Sequence, residues 1–231
     1  MRVLGINLLL VALAIVLAFP SGCGRDKGVG GGSEGEIRIG VIHPLSGPVA
    51  PYGKCSLSGV RMRVDDLNAA GGIGGKKIRL FVEDDKGDTT AAVNGFTKLV
   101  GSDKVVAVIA PVTSTCCLAI RAKAKEFKVP AISPSATNDT VTRNNEYMFR
   151  ACFNDSFQGR IVANYAFKDM GAKQAAVLKD INSDYSKGLT VNFARAFQAA
   201  GGSLSPSFRF HSARATSYRS LSARQACRAF S

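Results

Sequence analysis

Three short segments of the 231-residue chain bring hydroxyls, prolines and small residues together directly after apolar runs. They are His43-Pro44-Leu45-Ser46-Gly47-Pro48 with Pro51-Tyr52-Gly53, Pro111-Val112-Thr113-Ser114-Thr115, and Ser133-Pro134-Ser135-Ala136-Thr137-Asn138. Hydroxyls beside free backbone amides can hold a carboxylate, a phosphate or a zwitterion without burying an unpaired charge. Two of the segments can also open helices, where unpaired N–H groups and the helix dipole favour an anion. Taken singly, each is as well explained by helix caps and turns. Three of them converging on one rim point to a binding site.

The other reactive side chains point elsewhere. Six cysteines stand at 23, 55, 116, 117, 152 and 227, and there are only two histidines. The adjacent pair Cys116-Cys117 lacks metal-ligand spacing, so neither a zinc site nor any other metal or cofactor is expected. A Cys-dependent enzyme on an α/β fold is a further reading, with Cys116 or Cys117 at a helix start as nucleophile and His43 as base. No third orienting residue is evident, and buried thiols usually serve as packing. Gly71-Gly72-Ile73-Gly74-Gly75 follows a helix and precedes a strand, the reverse of a phosphate cradle, and reads as a turn.

The elements that must position the three segments alternate. Ile37, Ile39 and Val41 read as a strand, and Leu57, Val60, Val64 and Leu67 as a helical stripe stopped at Gly71-Gly72. Ile78 to Val82 is a second strand. Asp88 and Thr89 are cap candidates for a helix carrying Ala92, Val93, Phe96, Leu99 and Val100. Val105 to Ala110 is a continuous apolar run suited to a parallel strand buried on both faces. Ser114 and Thr115 can cap a helix reaching Phe127, followed by a strand at Val129 to Ser133. Tyr147 to Cys152, a capping-box-like start at Asp155 to Gln158, a helix face of Ile161, Val162, Tyr165 and Ala166, a strand at Ala175 to Leu178 and a helix through Leu189, Phe193, Ala196, Phe197 and Ala200 continue the alternation. Such alternation implies a doubly wound α/β sheet with right-handed crossovers, whose ligands sit beyond the carboxyl ends of the strands.

The two ends differ from this body. Arg2, the apolar run from Val3 to Phe19 and Pro20-Ser21-Gly22 have the layout of a secretory signal over residues 1–22; the run is short for a transmembrane span. Cys23 then resembles the lipidated cysteine of a bacterial lipobox, and residues 23–36 form a Gly-rich tether. The formal net charge is +13, but no acid follows Asp184, and Arg209, Arg214, Arg219, Arg224 and Arg228 load the last stretch. That placement argues against reading the overall charge as nucleic-acid binding. Residues 204–231 show neither helical nor strand periodicity and are expected to be an anomalous, disordered basic tail, as translation in a wrong frame beyond Ser203 would produce.

Between these ends, Ile39-Gly40-Val41 through Pro44-Leu45-Ser46-Gly47, Tyr52-Gly53, Asn68-Ala69-Ala70-Gly71-Gly72-Ile73, Glu83-Asp84-Asp85 and Ile132 to Asn138 resemble the branched-chain amino acid binding proteins of ABC importers. The likeness covers residues 37 to about 202 and preserves the spacing between motifs. It implies a type I periplasmic-binding fold, with lobe one in residues 37–152 and an incomplete lobe two in 153–203, closing by hinge motion over an amino acid or amide. It further implies that Ser114 and Thr137 hold the solute's carboxylate and ammonium, with Ser135 and Ala136 contributing nearby backbone. Tyr52 would cover the apolar part of the solute, and Tyr185 would approach from lobe two on closure. The implied partners are a permease and ATPase complex, with a membrane reached through a lipid anchor on Cys23. A ligand sensor feeding a signalling partner would share this fold and pocket. The cysteines of a disulfide found in some relatives would fall at Gly87 and Thr113, where this chain has none.

Overall fold

In the computed structural model, residues 35–205 and 208–210 are described. Strands β1 (Glu36–His43), β2 (Lys77–Asp84), β3 (Ala107–Ile109), β4 (Ala131–Ser133) and β5 (Met148–Arg150) form one sheet in the order β2-β1-β3-β4-β5. Every pairing in it is parallel, including Ile39 opposite Leu80 on one side and Ala107 on the other. Helices α1 (Ala50–Ala69), α2 (Thr89–Gly101) and α3 (Ser114–Phe127) make the crossovers. The chain leaves β1 in one direction to reach β2 and returns past it to β3. The switch point therefore lies between β1 and β3, where an open α/β sheet binds ligands.

Local chemistry explains the helix starts. Asp88 caps α2 by accepting from the Ala91 amide at 2.8 Å. The expected caps of α3 shift by one residue, because Thr113, with extended backbone, accepts from the Cys116 amide and leaves Ser114 as the first helical residue. The core joins Ile42, Phe96, Leu99, Val108, Ile120 and Met148 with the two buried thiols between the sheet and its helices. This is the layer that the apolar runs and stripes of the sequence predicted.

After β5 comes a second, smaller group of elements. Helix α4 (Asp155–Asn164) continues into a π-helical turn at Tyr165–Asp169, and α5 (Asp184–Ala199) packs against it. Asn154 rather than Asp155 caps α4, accepting from Phe157 N at 3.0 Å. The single strand expected at Ala175 to Leu178 is instead two short ones, β6 (Gln174–Ala175) and β7 (Leu178–Asp180). Each pairs in parallel with a strand from beyond α5: β6 with β8 (Ser203–Leu204), and β7 with β9 (Phe208–Phe210).

Two expectations are corrected here. The tail does not leave the fold at Leu204, since Leu204 and Phe208–Phe210 are taken into strands; the alternation Phe208-Arg209-Phe210 has the period of two that a strand requires. The part of the tail from residue 211 lies outside the described residues, as do the signal, Cys23 and all of the tether before Gly35. The helix face of Ile161, Val162 and Tyr165 is also largely exposed, whereas Phe197 is fully buried. Phe197 stacks on Phe193 with ring centroids 5.4 Å apart and meets Phe167 edge-on at 6.0 Å, so aromatic contacts from the stripe expected on the last helix hold this group together.

Candidate functional site

The loops leaving β1, β3 and β4 meet at the switch point and are tied to one another there. Asp84, at the end of β2, holds the loop after β1 by accepting from Leu45 N at 2.7 Å and Ser46 Oγ at 2.6 Å. Burial alone would raise the Asp84 pKa, but hydrogen bonds from Ser46, Leu45 and Lys86 outweigh it and hold the carboxyl below its ordinary value. Gly53 lets α1 lie against this loop: a Cβ there would come within 2.1 Å of the Pro44 carbonyl oxygen. Across the sheet, Ser133 Oγ donates to Pro111 O at 2.7 Å and Ser135 Oγ to Val112 O at 2.8 Å. Ser114 Oγ accepts from Asn138 N at 3.3 Å.

Arg150, at the end of β5, fastens the Thr137 loop. Its Nη1 donates to Ala136 O and Thr137 O at 3.2 and 2.7 Å. Its Nη2 donates to Asn138 O, Asp139 O and Thr142 Oγ1. One guanidinium thus ties together four consecutive carbonyls of an irregular loop, Ala136 to Asp139. Sequence reading missed Arg150, because only the parallel register brings the end of β5 under the loop after β4.

Together these loops form one wall of a cleft of about 410 Å³, and α4 and α5 supply the other. Of the residues singled out in the sequence, Tyr52, Ser114, Ser135, Thr137 and Tyr185 all line it. Ala136 does not: it is fully buried, and its amide donates to Ser133 Oγ at 3.0 Å. Thr115, from the second of the three segments, also lines the cleft, as do Phe153, Gln158 and Ser183, which were not foreseen as site residues. Ser183 could have been read as a helix-start hydroxyl, Gln158 was read only as part of a capping-box-like start, and Phe153 carries no local signal. None of the lining residues is charged.

Two helix N-termini meet at this cleft. Thr113 satisfies the third amide of α3, so the Ser114 and Thr115 amides have no partner within the helix. From the opposite wall, Asp184 N at the start of α5 donates to Thr115 Oγ1 at 3.1 Å, and Asn138 Nδ2 donates to Asp184 O at 2.8 Å. Gln158 Nε2 reaches Tyr185 Oη at 3.4 Å on that wall. The arrangement combines neutral donors, helix dipoles and aromatic faces, which suits a small solute with one anionic end and an apolar part.

The nucleophile reading is not supported by this geometry. Burial pushes the Cys116 thiol up to about 11 and the Cys117 thiol up to about 12, and both side chains are fully covered. The expected effect of the helix dipole is thus overridden by desolvation. Cys117 Sγ donates to Pro111 O, and His43 pairs through Nε2 with Ser56 Oγ at 2.9 Å rather than with either cysteine.

The chain thus has an open parallel α/β sheet with a hydroxyl-lined cleft at its switch point, walled on the far side by a second group of helices. The family described as periplasmic binding protein matches residues 36–225, and the chain belongs to that family. The matched span runs beyond Ser203, so family-like sequence continues past the point where the sequence reading ended it. A Leu/Ile/Val-binding protein homolog of Brucella melitensis is 34% identical over 192 residues, covering 83% of this chain and 49% of that protein. The crystal structure of LivJ from Streptococcus pneumoniae in complex with isoleucine is similar with a TM-score of 0.72 at 37% identity, over 81% of this chain and 55% of that one. A leucine-binding protein from Thermotoga maritima has a TM-score of 0.72 at 33% identity, over 76% of this chain and 49% of its own. The fold is therefore the type I periplasmic-binding fold. The chain spans about half the length of the curated relatives it matches.

Proposed function

We propose that this chain captures a branched-chain amino acid, or a related amino acid or amide, as the extracytoplasmic receptor of an ABC importer. The observation that carries this reading is the uncharged, hydroxyl-lined cleft between two helix N-termini at the switch point. In it, Ser114 and the free amides of Ser114 and Thr115 hold the solute carboxylate, and Thr137 accepts from the ammonium. Tyr52, Phe153 and Tyr185 cover the aliphatic side chain, and Ser135 shapes the rim by fixing the Val112 carbonyl. The names of the relatives support the solute class, since they bind leucine, isoleucine or valine. Delivery to a permease and ATPase complex, and attachment to the membrane through an acylated Cys23, complete the proposal. Fatty-acid labelling that disappears in Cys23→Ala checks the anchor.

Titration calorimetry of the full chain against L-isoleucine, L-leucine, L-valine, leucinamide and benzoate tests the solute class. Saturable binding of the aliphatic amino acids, with benzoate weaker, is the expected result. Tighter binding of benzoate than of any amino acid would overturn the amino acid reading, and no binding of any of the five would overturn the receptor reading for this chain.

A further inference from the structure

The end of the sheet opposite the cleft gathers lysines. Helix C-termini favour cations, because their last carbonyls are unpaired and the dipole is negative there. Lys77 donates to Asn68 O in the last turn of α1, Lys104 stands just past the end of α2, and Lys128 is the residue that closes α3. In a parallel sheet every crossover helix ends on the same side, so a preference local to each helix adds up along one rim. Lys76 and Lys125 join it, and all five lysines are exposed. Several acids of this end are already occupied: Glu36 pairs with Arg79 at 3.5 Å, Asp103 with Lys98 at 3.8 Å and Glu126 with Lys123 at 2.8 Å. Asp65, Asp66 and Glu146 are the other acids near it. Acids start the helices at the cleft end, Asp88 at α2 and Asp184 at α5, so no such excess of lysine builds up there.

One apolar side chain projects from the same rim. Ile73 N donates to Lys76 O at 2.9 Å and Lys76 N to Ile73 O at 3.1 Å, closing a two-residue hairpin over Gly74 and Gly75. Both glycines have positive φ, as that turn requires. The hairpin sets Ile73 across from Lys76 just ahead of β2, and Ile73 is 52% exposed. An apolar side chain among lysines is the composition that suits lipid headgroups: the apolar group enters the interface and the ammonium groups stay with the phosphates. Strand β1 begins at this end, with Glu36 opposite Lys77, so the chain from Cys23 joins the sheet at the rim, away from the cleft.

We propose that this rim docks on an anionic phospholipid bilayer, with Ile73 among the headgroups, the lysines over their phosphates and the solute cleft facing away from the membrane. The lysines come from the ends of three helices and a hairpin, and the strands they precede run from β2 to β4 in the order β2-β1-β3-β4. That is three strand spacings, or about 14 Å, too wide for a single phosphate and suited to a sheet of headgroups. Each lysine near such a surface adds to the attraction, which falls off within a Debye length. The attraction does not depend on acylation of Cys23, which would add to it. Given the proposed receptor role, the orientation leaves the cleft open to incoming solute.

Partition of the full chain onto phosphatidylcholine vesicles with and without phosphatidylglycerol tests the surface. The ratio of the two partition coefficients isolates the electrostatic part, because apolar segments and any acyl chain on Cys23 contribute to both, and the arginine-rich end is present in every variant. An attraction of about fivefold per lysine predicts that Lys76→Gln, Lys77→Gln, Lys104→Gln and Lys128→Gln together lower the ratio by about a hundredfold or more. Added salt should shrink that difference. An unchanged ratio overturns the docking surface, whatever the result of labelling at Cys23 or of solute binding. Orientation is read from single tryptophans, since the chain has none. Brominated phosphatidylglycerol should quench the emission of Ile73→Trp and spare that of Tyr52→Trp, which stands at the cleft. Equal or stronger quenching at position 52 overturns the orientation.

Discussion

Asp85 is the residue whose chemistry is least settled by its surroundings. It is fully buried, and Oδ2 has no partner among the described residues, although Oδ1 accepts from Gly87 N at 2.8 Å. Desolvation pushes its carboxyl up to about 6, with Asp84 and Asp88 adding repulsion against the hydrogen bond from Gly87. The folded chain therefore holds a proton that the unfolded chain has released, and stability falls as the pH rises from about 4 to about 6. Above that range the ionised acid costs up to about 3 kcal/mol, and below it the cost vanishes. Asp85→Asn keeps an acceptor for Gly87 and removes the charge. Urea unfolding should show the variant more stable than the parent at pH 7.5 and equal to it near pH 3.5. A constant difference between the two pH values would contradict the assignment.

At the scale of elements, helices α2 to α5 are each started by a side chain just outside them, and the strength of that start can be separated from the site. Asp88 caps α2, which packs on α3, β1 and β2 and contributes nothing to the cleft lining. Asp88→Ala should lower stability by about 1 kcal/mol, the usual value of a cap, with solute affinity unchanged within about twofold. Denaturant midpoints and calorimetry on one preparation check both halves. The helix starts were largely legible because Asp88, Asn154 and the Thr113 to Thr115 run are short polar residues before apolar stripes. Their registers slipped by one where several such residues stood in a row. Over α4 to β9 the reading was poorer: Ile161, Val162 and Tyr165 were expected to line one helix face, and those side chains are exposed. Periodicity reports which residues share a face, and only packing decides whether anything covers it.

For the whole molecule, the contact across the cleft is the feature that local elements do not contain. Asp184 N donates to Thr115 Oγ1 and Asn138 Nδ2 to Asp184 O, joining the starts of α3 and α5 across the cleft. Asn192 Nδ2 adds a bond to Asp139 Oδ2 at 3.0 Å. Thr115→Val keeps the shape and removes the acceptor, leaving the Asp184 amide without its partner on closure. We expect solute affinity to fall by about fivefold to tenfold, mainly through faster release, because a net hydrogen bond contributes about 1 kcal/mol and this one bridges the two walls of the cleft. Stopped-flow dissociation of isoleucine from the parent and the variant is the measurement; an unchanged release rate would mean that the bond does not oppose opening.

The sequence by itself determined the alternation of strands and helices, the parallel character of the sheet and the segments that form lobe one's side of the cleft. These follow from short-range rules: apolar period, cap chemistry and the position of loops at strand ends. Tyr52, Ser114, Ser135 and Thr137 were found for that reason, and Tyr185 through family resemblance. Tertiary structure decided the rest. Arg150 and Gln158 act on the Thr137 loop or the cleft only because β5 runs beside β4 and α5 packs against α4. Ala136 left the cleft lining because Ser133 claimed its amide. Desolvation, a property of the whole packing, overrode the helix-start setting of Cys116 and Cys117 and raised the carboxyls of Asp85 and Asp155.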